Sequence, residues 1–115
     1  MAFGDAVIVV ASAARTTTGN SAALVCEKGL NLNLLVEVTA ASGTTPSLAL
    51  TVEWSMDGTN FGALDTAPDG FTAITAATVR VVKQFPVRAP FFRVVWTITG
   101  TTPSFTFQAS RYVTA

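Results

Sequence analysis

Acidic side chains carry most of the potential chemistry of this sequence, because it contains no histidine and only one cysteine. The acidic residues are Asp5, Glu27, Glu37, Glu53, Asp57, Asp65 and Asp69. Glu37 and Glu53 fall on the outward faces of adjacent predicted strands, where two carboxylates can act as the acid and base of a glycosidase. The alternative is that each glutamate is solvated or pairs with Arg or Lys, as exposed glutamates usually are. We favour this second interpretation.

The segment Asp57–Asn60 offers oxygen ligands of the type that calcium binds, with Asp65 and Asp69 downstream. The repeated Asp/Asn spacing of a calcium-binding loop is absent, however. Asp-Gly is also favoured in tight turns, where Asp and Asn side chains bond to the nearby backbone. The sequence therefore favours a self-stabilised turn over a metal site.

Cys26 is the only cysteine, which excludes an intrachain disulfide and a cysteine-based zinc cluster. We expect it to be a small apolar core residue at the end of a strand. The lack of histidine removes the commonest general base and the commonest transition-metal ligand. We therefore predict no catalytic residues, no cofactor and no metal, and a protein that is not an enzyme.

Aromatic residues raise the alternative of a platform for stacking sugar rings. The candidates for such a platform are Trp54, Trp96, Phe61, Phe91 and Phe92. Trp54 and Trp96 are in phase with inward aliphatic residues on their strands, however, so both are expected to pack in the core.

The pair Phe91-Phe92 differs from the tryptophans, because consecutive strand residues point to opposite faces. One of the two rings must leave the core of its own sheet. Arg88 and Arg93 flank the pair, and aromatic residues together with Arg are enriched at protein interfaces. We predict that Phe91, Phe92, Arg88 and Arg93 form part of an interaction surface.

Alternating apolar residues predict an all-β fold, because side chains along a strand alternate between its faces. The clearest inward rows are Leu30, Leu32, Leu34, Val36 and Val38, then Leu48, Leu50, Val52 and Trp54, and then Phe92, Val94, Trp96 and Ile98. The predicted strands are 6–12, 22–26, 30–39, 48–55, 61–64, 76–85, 92–99 and 105–109. We predict a single β-sandwich of about eight short antiparallel strands, jelly-roll-like or immunoglobulin-like, with no significant helix.

The pentapeptide Gly-Thr-Thr-Pro-Ser occurs twice, at residues 43–47 and 100–104. Each copy lies between two segments of alternating apolar residues. Proline cannot continue a central ladder and glycine permits a turn, so each copy predicts a hairpin connection. Two similar hairpins suggest equivalent positions in a two-sheet sandwich, which a duplication or convergent turn chemistry explains.

The composition indicates a domain that has more apolar residues than its core can bury. Apolar residues make up 50% of the chain and charged residues 12%, whereas a typical soluble domain has roughly 25% charged residues. The 115 residues fit one domain, residues 1–115. A domain of this size buries only about two-thirds of its unfolded surface, so some apolar residues are expected to meet a partner.

The net charge is zero, so no basic field gathers nucleic acid.

The N-terminal segment, residues 1–18, combines an apolar run with small and polar residues. A signal peptide has a positively charged residue before its apolar run, whereas this run is preceded by Asp5 and by no Lys or Arg. The segment therefore does not fit a signal peptide. No apolar stretch reaches the ~20 residues of a membrane-spanning helix, so we expect no membrane contact. The segment either completes its own sandwich or adds as an edge strand to a neighbouring copy. We favour the second, with Val7, Ile8 and Val9 as candidate interface residues.

Two segments resemble small β-sandwich structural proteins of tailed bacteriophages, and capsid (head) decoration proteins above all. They are Val-Glu-Trp-Ser-Met-Asp-Gly-Thr-Asn-Phe at 52–61 and Phe-Arg-Val-Val-Trp-Thr-Ile-Thr-Gly at 92–100. The resemblance extends over roughly residues 34–107 and carries over no binding residues. It implies a non-enzymatic virion protein that binds as a homotrimer across neighbouring major capsid subunits and stabilises the assembled capsid. The implied location is the capsid exterior, and the host cytoplasm during assembly.

Two other functions remain open at this point. The same sandwich serves in tail, baseplate or fibre components, which differ from decoration proteins in their copy number per particle. A carbohydrate-binding module is the other alternative, and it requires exposed aromatic residues on one face.

Overall fold

The computed structural model describes residues 6–26, 29–65 and 67–114, which form seven β-strands and no helix. The strands are β1 (Val7–Arg15), β2 (Gly19–Asn20), β3 (Leu24–Val25), β4 (Asn31–Ser55), β5 (Asp69–Gly70), β6 (Val79–Pro86) and β7 (Phe91–Thr114). They join in one antiparallel sheet in the order β1-β7-β4-β5, with β2 and β3 also on β7 and β6 also on β4. The predicted all-β class is confirmed. In the part of the chain described, no helix suits the crossing of a membrane.

Two long strands dominate the sheet. β4 has 25 residues and β7 has 24, and they pair from Asn31 opposite Thr114 to Ser55 opposite Phe91. Each of them unites two of the predicted short strands. The short strand predicted at 61–64 is reduced to a single bridge between Trp54 and Gly62. The expectation of about eight short strands is therefore wrong for this central ribbon.

The two Gly-Thr-Thr-Pro-Ser segments are not hairpin connections, so that prediction is wrong. They lie opposite each other in the middle of the β4–β7 ladder, where Thr44 pairs with Thr101. The register shifts on both sides of this pair, and the ladder continues beyond it. Each segment bends its long strand, which continues on the other side, whereas a hairpin would end the strand.

The bend depends on left-handed backbone conformations. Gly43 and Gly100 have φ of 112° and 122°, and Thr45 and Thr102 have φ of 47° and 46°. A Cβ atom at Gly43 would lie 2.7 Å from the Thr102 carbonyl oxygen, and one at Gly100 would lie 2.8 Å from that of Thr45. The two segments thus cross in the same way, and each glycine lies against the backbone of the other segment. Only glycine fits at these two positions, because any Cβ atom would clash with that backbone.

The bend divides the ribbon into two half-sheets. The first half-sheet contains residues 31–41 and 105–114, with β1 and β6 along its edges. The second half-sheet contains residues 47–55 and 91–99, flanked by β2, β3 and β5. Trp96 of the second half-sheet meets Phe107 of the first edge to face, with ring centroids 5.5 Å apart. The half-sheets therefore pack face to face, as the layers of a β-sandwich do.

The core lies between the half-sheets and follows the predicted inward rows. Its largest fully buried side chains are Phe85, Phe92, Phe105, Phe107, Leu32, Leu34, Leu48, Leu50, Val36, Val38, Val52 and Val94. Trp54 and Trp96 are 7% and 9% exposed, which confirms their assignment to the core. Leu30 is an exception to the first row, because it precedes β4 and is 68% exposed.

Cys26 is expected to be unreactive in the folded protein. Its side chain is fully buried, and burial raises the pKa of the thiol to about 11, against a smaller opposite effect of the Arg111 charge. The thiolate is the reactive species, so a maleimide at pH 8 should label the native protein far more slowly than the protein unfolded in guanidinium. Equal labelling rates would show that the Cys26 site opens readily.

Candidate functional site

The proposed catalytic pair of glutamates does not form. Glu37 and Glu53 both lie on β4, on opposite sides of the bend. Arg80 Nη2 lies 2.6 Å from Glu37 Oε2, and Arg93 Nη2 lies 2.6 Å from Glu53 Oε1. Each ion pair joins side chains that are opposite in the strand register. The predicted placement of the two glutamates on adjacent strands is therefore wrong, and the pairing of each glutamate with a basic residue is confirmed.

Asp57 stabilises a turn at the end of β4, as predicted. Its Oδ1 atom accepts hydrogen bonds from the backbone amides of Thr59 and Asn60, each at 2.9 Å. The same atom accepts a bond from Ser55 Oγ at 2.9 Å, and Oδ2 accepts one from Asn60 Nδ2 at 2.8 Å. The carboxylate thus holds its own loop together.

These hydrogen bonds predict a pH dependence of stability. The amides of Asn60 and Thr59, together with the side chains of Asn60 and Ser55, lower the pKa of Asp57 well below its ordinary value of 3.8. A lowered folded-state pKa stabilises the protein above the unfolded-state pKa and ceases to do so as the pH falls through the folded-state value. Asp57→Ala should therefore lower the Tm at pH 6, and the difference from the wild type should shrink below about pH 4. A difference that stays constant in melts from pH 6 to pH 2 would contradict this role.

The Phe91-Phe92 pair divides between the two faces of β7, as its alternation predicts. Phe92 is fully buried, 6.2 Å from Trp54 between ring centroids. Phe91 is half-buried on the other face, where a Cβ atom at Gly58 would lie 3.3 Å from its ring. The predicted interface role of Phe92 is corrected, because a fully buried ring cannot contact a partner while the fold stays closed.

Both arginines of the predicted interface bind acidic groups of their own chain. Arg88 donates from Nε and Nη2 to the two carboxylate oxygens of Asp69, at 3.0 and 3.1 Å, and these bonds raise the pKa of Arg88. Asp69 Oδ2 also accepts a bond from Trp54 Nε1 at 3.0 Å. Arg93 pairs with Glu53 and lies over the ring of Phe61, 4.7 Å from its centroid. Arg88 therefore connects its own loop to Asp69, and Arg93 holds the loop of Phe61 against the second half-sheet.

A cavity of about 410 Å³ opens beside these loops. Trp54 and Ala89 contribute buried side chains to its lining, Leu64 a half-buried one, and Met56 is 76% exposed at its edge. Arg88, Asp57 and Asn60 supply polar groups around it. Sequence reasoning missed this cavity because its walls come from three separate segments and share no periodic pattern. Its lining is mostly apolar.

The N-terminal strand pairs with β7 of its own chain. Val10 is buried, Val9 is half-buried, and Val7 and Ile8 are 43% and 56% exposed. Residues 7–15 thus add an edge strand to the first half-sheet. The structure thus shows the alternative that the sequence did not favour, in which the segment completes its own sheet and Val9 packs against the core. Contact of Val7 and Ile8 with another subunit stays a prediction, and residues 1–5 lie outside the described part of the chain.

Arg15, at the end of β1, contacts both half-sheets. Its guanidinium donates to the carbonyl oxygens of Ala11, Ala13 and Phe107, at 2.8, 3.2 and 3.2 Å. It also lies 5.0 Å from the ring centroid of Trp96 and 4.7 Å from that of Phe107. Desolvation lowers the pKa of Arg15, but an arginine remains charged at any pH relevant here. This contact is a further structural role that the sequence pattern did not indicate.

The outer face of the first half-sheet carries an apolar row. The strand registers place Val82, Leu35, Ser110 and Ile8 side by side across β6, β4, β7 and β1, and we call these residues the stripe. Val82 is 68% exposed and Leu35 is half-buried. Beside the stripe, Tyr112 contributes to a shallow groove of about 220 Å³. The stripe escaped sequence reasoning because its members come from four strands far apart in the chain.

Comparison with known proteins adds no family assignment. No protein-family model matches the chain, and no curated protein is significantly similar to it.

Proposed function

We propose that the protein is a non-enzymatic structural component of a tailed-phage virion that decorates and stabilises the assembled capsid. It would bind across neighbouring major capsid subunits on the capsid exterior. The observation that carries this proposal is the presence of two separate accessible apolar surfaces, one on each half-sheet. The first is the stripe with its groove, and the second is the cavity edged by Met56. A protein that joins two neighbouring subunits needs two such surfaces on one rigid body.

The acidic groups support a structural rather than a chemical role. Glu37, Glu53 and Asp69 each form an ion pair within the chain, and Asp57 is occupied by its turn. Each of these contacts connects strands or loops. The charges at these four positions therefore hold strands and loops in place.

Burial of apolar surface supplies the adhesion in this proposal. At about 25 cal/mol per Å² of apolar surface, an interface of about 800 Å² per partner provides ample free energy before the entropy cost of association is subtracted. The zero net charge avoids long-range repulsion between closely spaced copies. Such an interface needs no covalent chemistry.

A co-sedimentation experiment tests the proposal. Purified protein is mixed with capsids of its own phage assembled without it, and with capsids of an unrelated phage as the control. We expect saturable binding to the first capsids only, at a fixed ratio to the major capsid protein, and a higher melting temperature of the decorated capsid. Lack of saturable binding would contradict the proposal.

The carbohydrate-binding alternative loses support from the placement of the aromatic residues. Trp54 and Trp96 are buried, and Phe61 lies beneath the guanidinium of Arg93. Tyr112 is 37% exposed and stands apart from them on the first half-sheet. Among the candidate rings, Phe61 and Phe91 stay half-buried, and glycan-array binding would be needed to revive this function.

A further inference from the structure

The stripe is a mainly apolar row, interrupted by Ser110, that reaches from one edge of the first half-sheet to the other. Its two ends, Val82 on β6 and Ile8 on β1, are 68% and 56% exposed. Leu35 and Ser110 lie between them on the two central strands. Exposed apolar residues scattered singly are ordinary on protein surfaces, whereas an apolar patch such as Val82 beside Leu35, with Ile8 beyond Ser110, is typical of an interaction site.

The residues on either side of the stripe restrict what can cover it. On one side, Arg80 and Glu37 form an ion pair, and Gln108 stands next to Glu37. On the other side, Gln84 Nε2 donates to Asn33 Oδ1 at 3.0 Å. The flanks thus carry one cation, one anion and neutral amides, without an excess of either charge. A strongly acidic or basic partner therefore gains no net electrostatic attraction at these flanks. A surface of the same balanced composition meets no net repulsion there.

A second copy of the chain provides such a surface. A two-fold axis parallel to the strands and centred on the stripe brings Val82 of each copy opposite Ile8 of the other, because these residues lie at opposite edges. The same operation brings Leu35 opposite Ser110, and Glu37 opposite the neutral Gln108. Like charges do not face each other in this arrangement, and two sheets stack in this way in ordinary sandwiches.

We propose that the stripe is a self-association surface through which two copies of this chain pack face to face, Val82 against Ile8. This contact uses one of the two surfaces that the proposed function assigns to capsid binding, and it leaves the cavity edged by Met56 accessible on each copy of the dimer. It forms a two-fold dimer, whereas the phage resemblance implies a homotrimer, so the two assemblies differ in mass.

Sedimentation of the full chain over a range of micromolar concentrations measures the proposed contact. We expect a reversible monomer–dimer equilibrium. Val82→Glu should weaken dimerisation at least about 100-fold, because the two-fold contact carries two copies of a charge buried against an apolar side chain. Met56→Glu is the matched control, since Met56 is 76% exposed and lies on the second half-sheet. It adds the same charge and should leave the dimerisation constant unchanged.

A charge-pair rescue tests the facing of Val82 and Ile8. The double substitution Ile8→Glu with Val82→Lys should dimerise more strongly than either single variant, because opposite charges then meet across the contact. Circular dichroism and melting curves of every variant report whether the fold is retained.

Three results would overturn the proposal. They are a wild-type chain that remains monomeric, a trimer that Val82→Glu leaves intact, and a dimer that both glutamate variants weaken equally. If the wild type is monomeric and Val82→Glu loses capsid binding, the stripe contacts the capsid instead, and the proposed function survives. If the dimer forms but capsids are not bound, the proposed function fails and the self-association surface stands.

Discussion

Trp96→Ala should lower the free energy of unfolding by about 3–5 kcal/mol, as large-to-small aromatic substitutions in cores do. Trp96 is 9% exposed, meets Phe107 across the two half-sheets and lies beneath the guanidinium of Arg15. Its removal leaves a cavity between the layers and takes away the ring that Arg15 covers. A loss of this size is a large fraction of the stability of a small domain, which is about 5–15 kcal/mol.

Trp54→Ala should have a comparable effect, because Trp54 packs on Phe92 and donates its indole hydrogen bond to Asp69. Met56→Ala is the control for both substitutions, since that side chain is 76% exposed. Urea unfolding at a fixed pH measures the three variants. If either tryptophan variant kept its stability while losing affinity for capsids or glycans, that tryptophan would be a binding residue and its assignment to the core would be wrong.

Gly43→Ala and Gly100→Ala should each destabilise the protein by at least about 1–3 kcal/mol, the cost of holding a residue other than glycine in an unfavourable backbone region. At both positions φ exceeds 110°. A new Cβ atom would also lie within 3.0 Å of a carbonyl oxygen on the opposite strand. The strands must then separate at the bend, which loosens the packing of one half-sheet on the other.

Gly62→Ala provides the matched control for the glycine substitutions. A Cβ atom there has nothing within 4 Å, so the expected change is within about 0.5 kcal/mol. Stabilities of the three variants from urea unfolding decide the matter. An unchanged stability of Gly100→Ala would show that the strands do not cross at the bend in the way described.

The strand rows were predictable from sequence, but the bend was not. The recurrence of Leu32, Leu34 and Val36 at every second position needs only local information, because burial on one face imposes a period of two. Gly43 and Pro46 are equally compatible with a hairpin and with a kink in a continuing strand. The choice depends on pairing with the distant segment 100–104, which local turn chemistry does not reveal.

The surfaces were predictable only where they follow from alternation along one strand. The division of Phe91 and Phe92 between two faces is of this kind. The ion pairs of Arg80 and Arg93 depend on strand register, and the sequence alone does not fix register between distant strands. The stripe depends on register as well, since Val82 and Ile8, at opposite edges of the first half-sheet, fall into one row only through the pairing of two intervening strands.

A cryo-electron microscopy map of the native virion tests the central claim most directly, because it counts and locates the copies of this chain in one measurement. We expect all-β density of its shape, 42 × 27 × 22 Å, on the outside of the capsid at every equivalent lattice position and in contact with at least two major capsid subunits. Density confined to the tail, baseplate or fibres, or a particle without the chain, would contradict it.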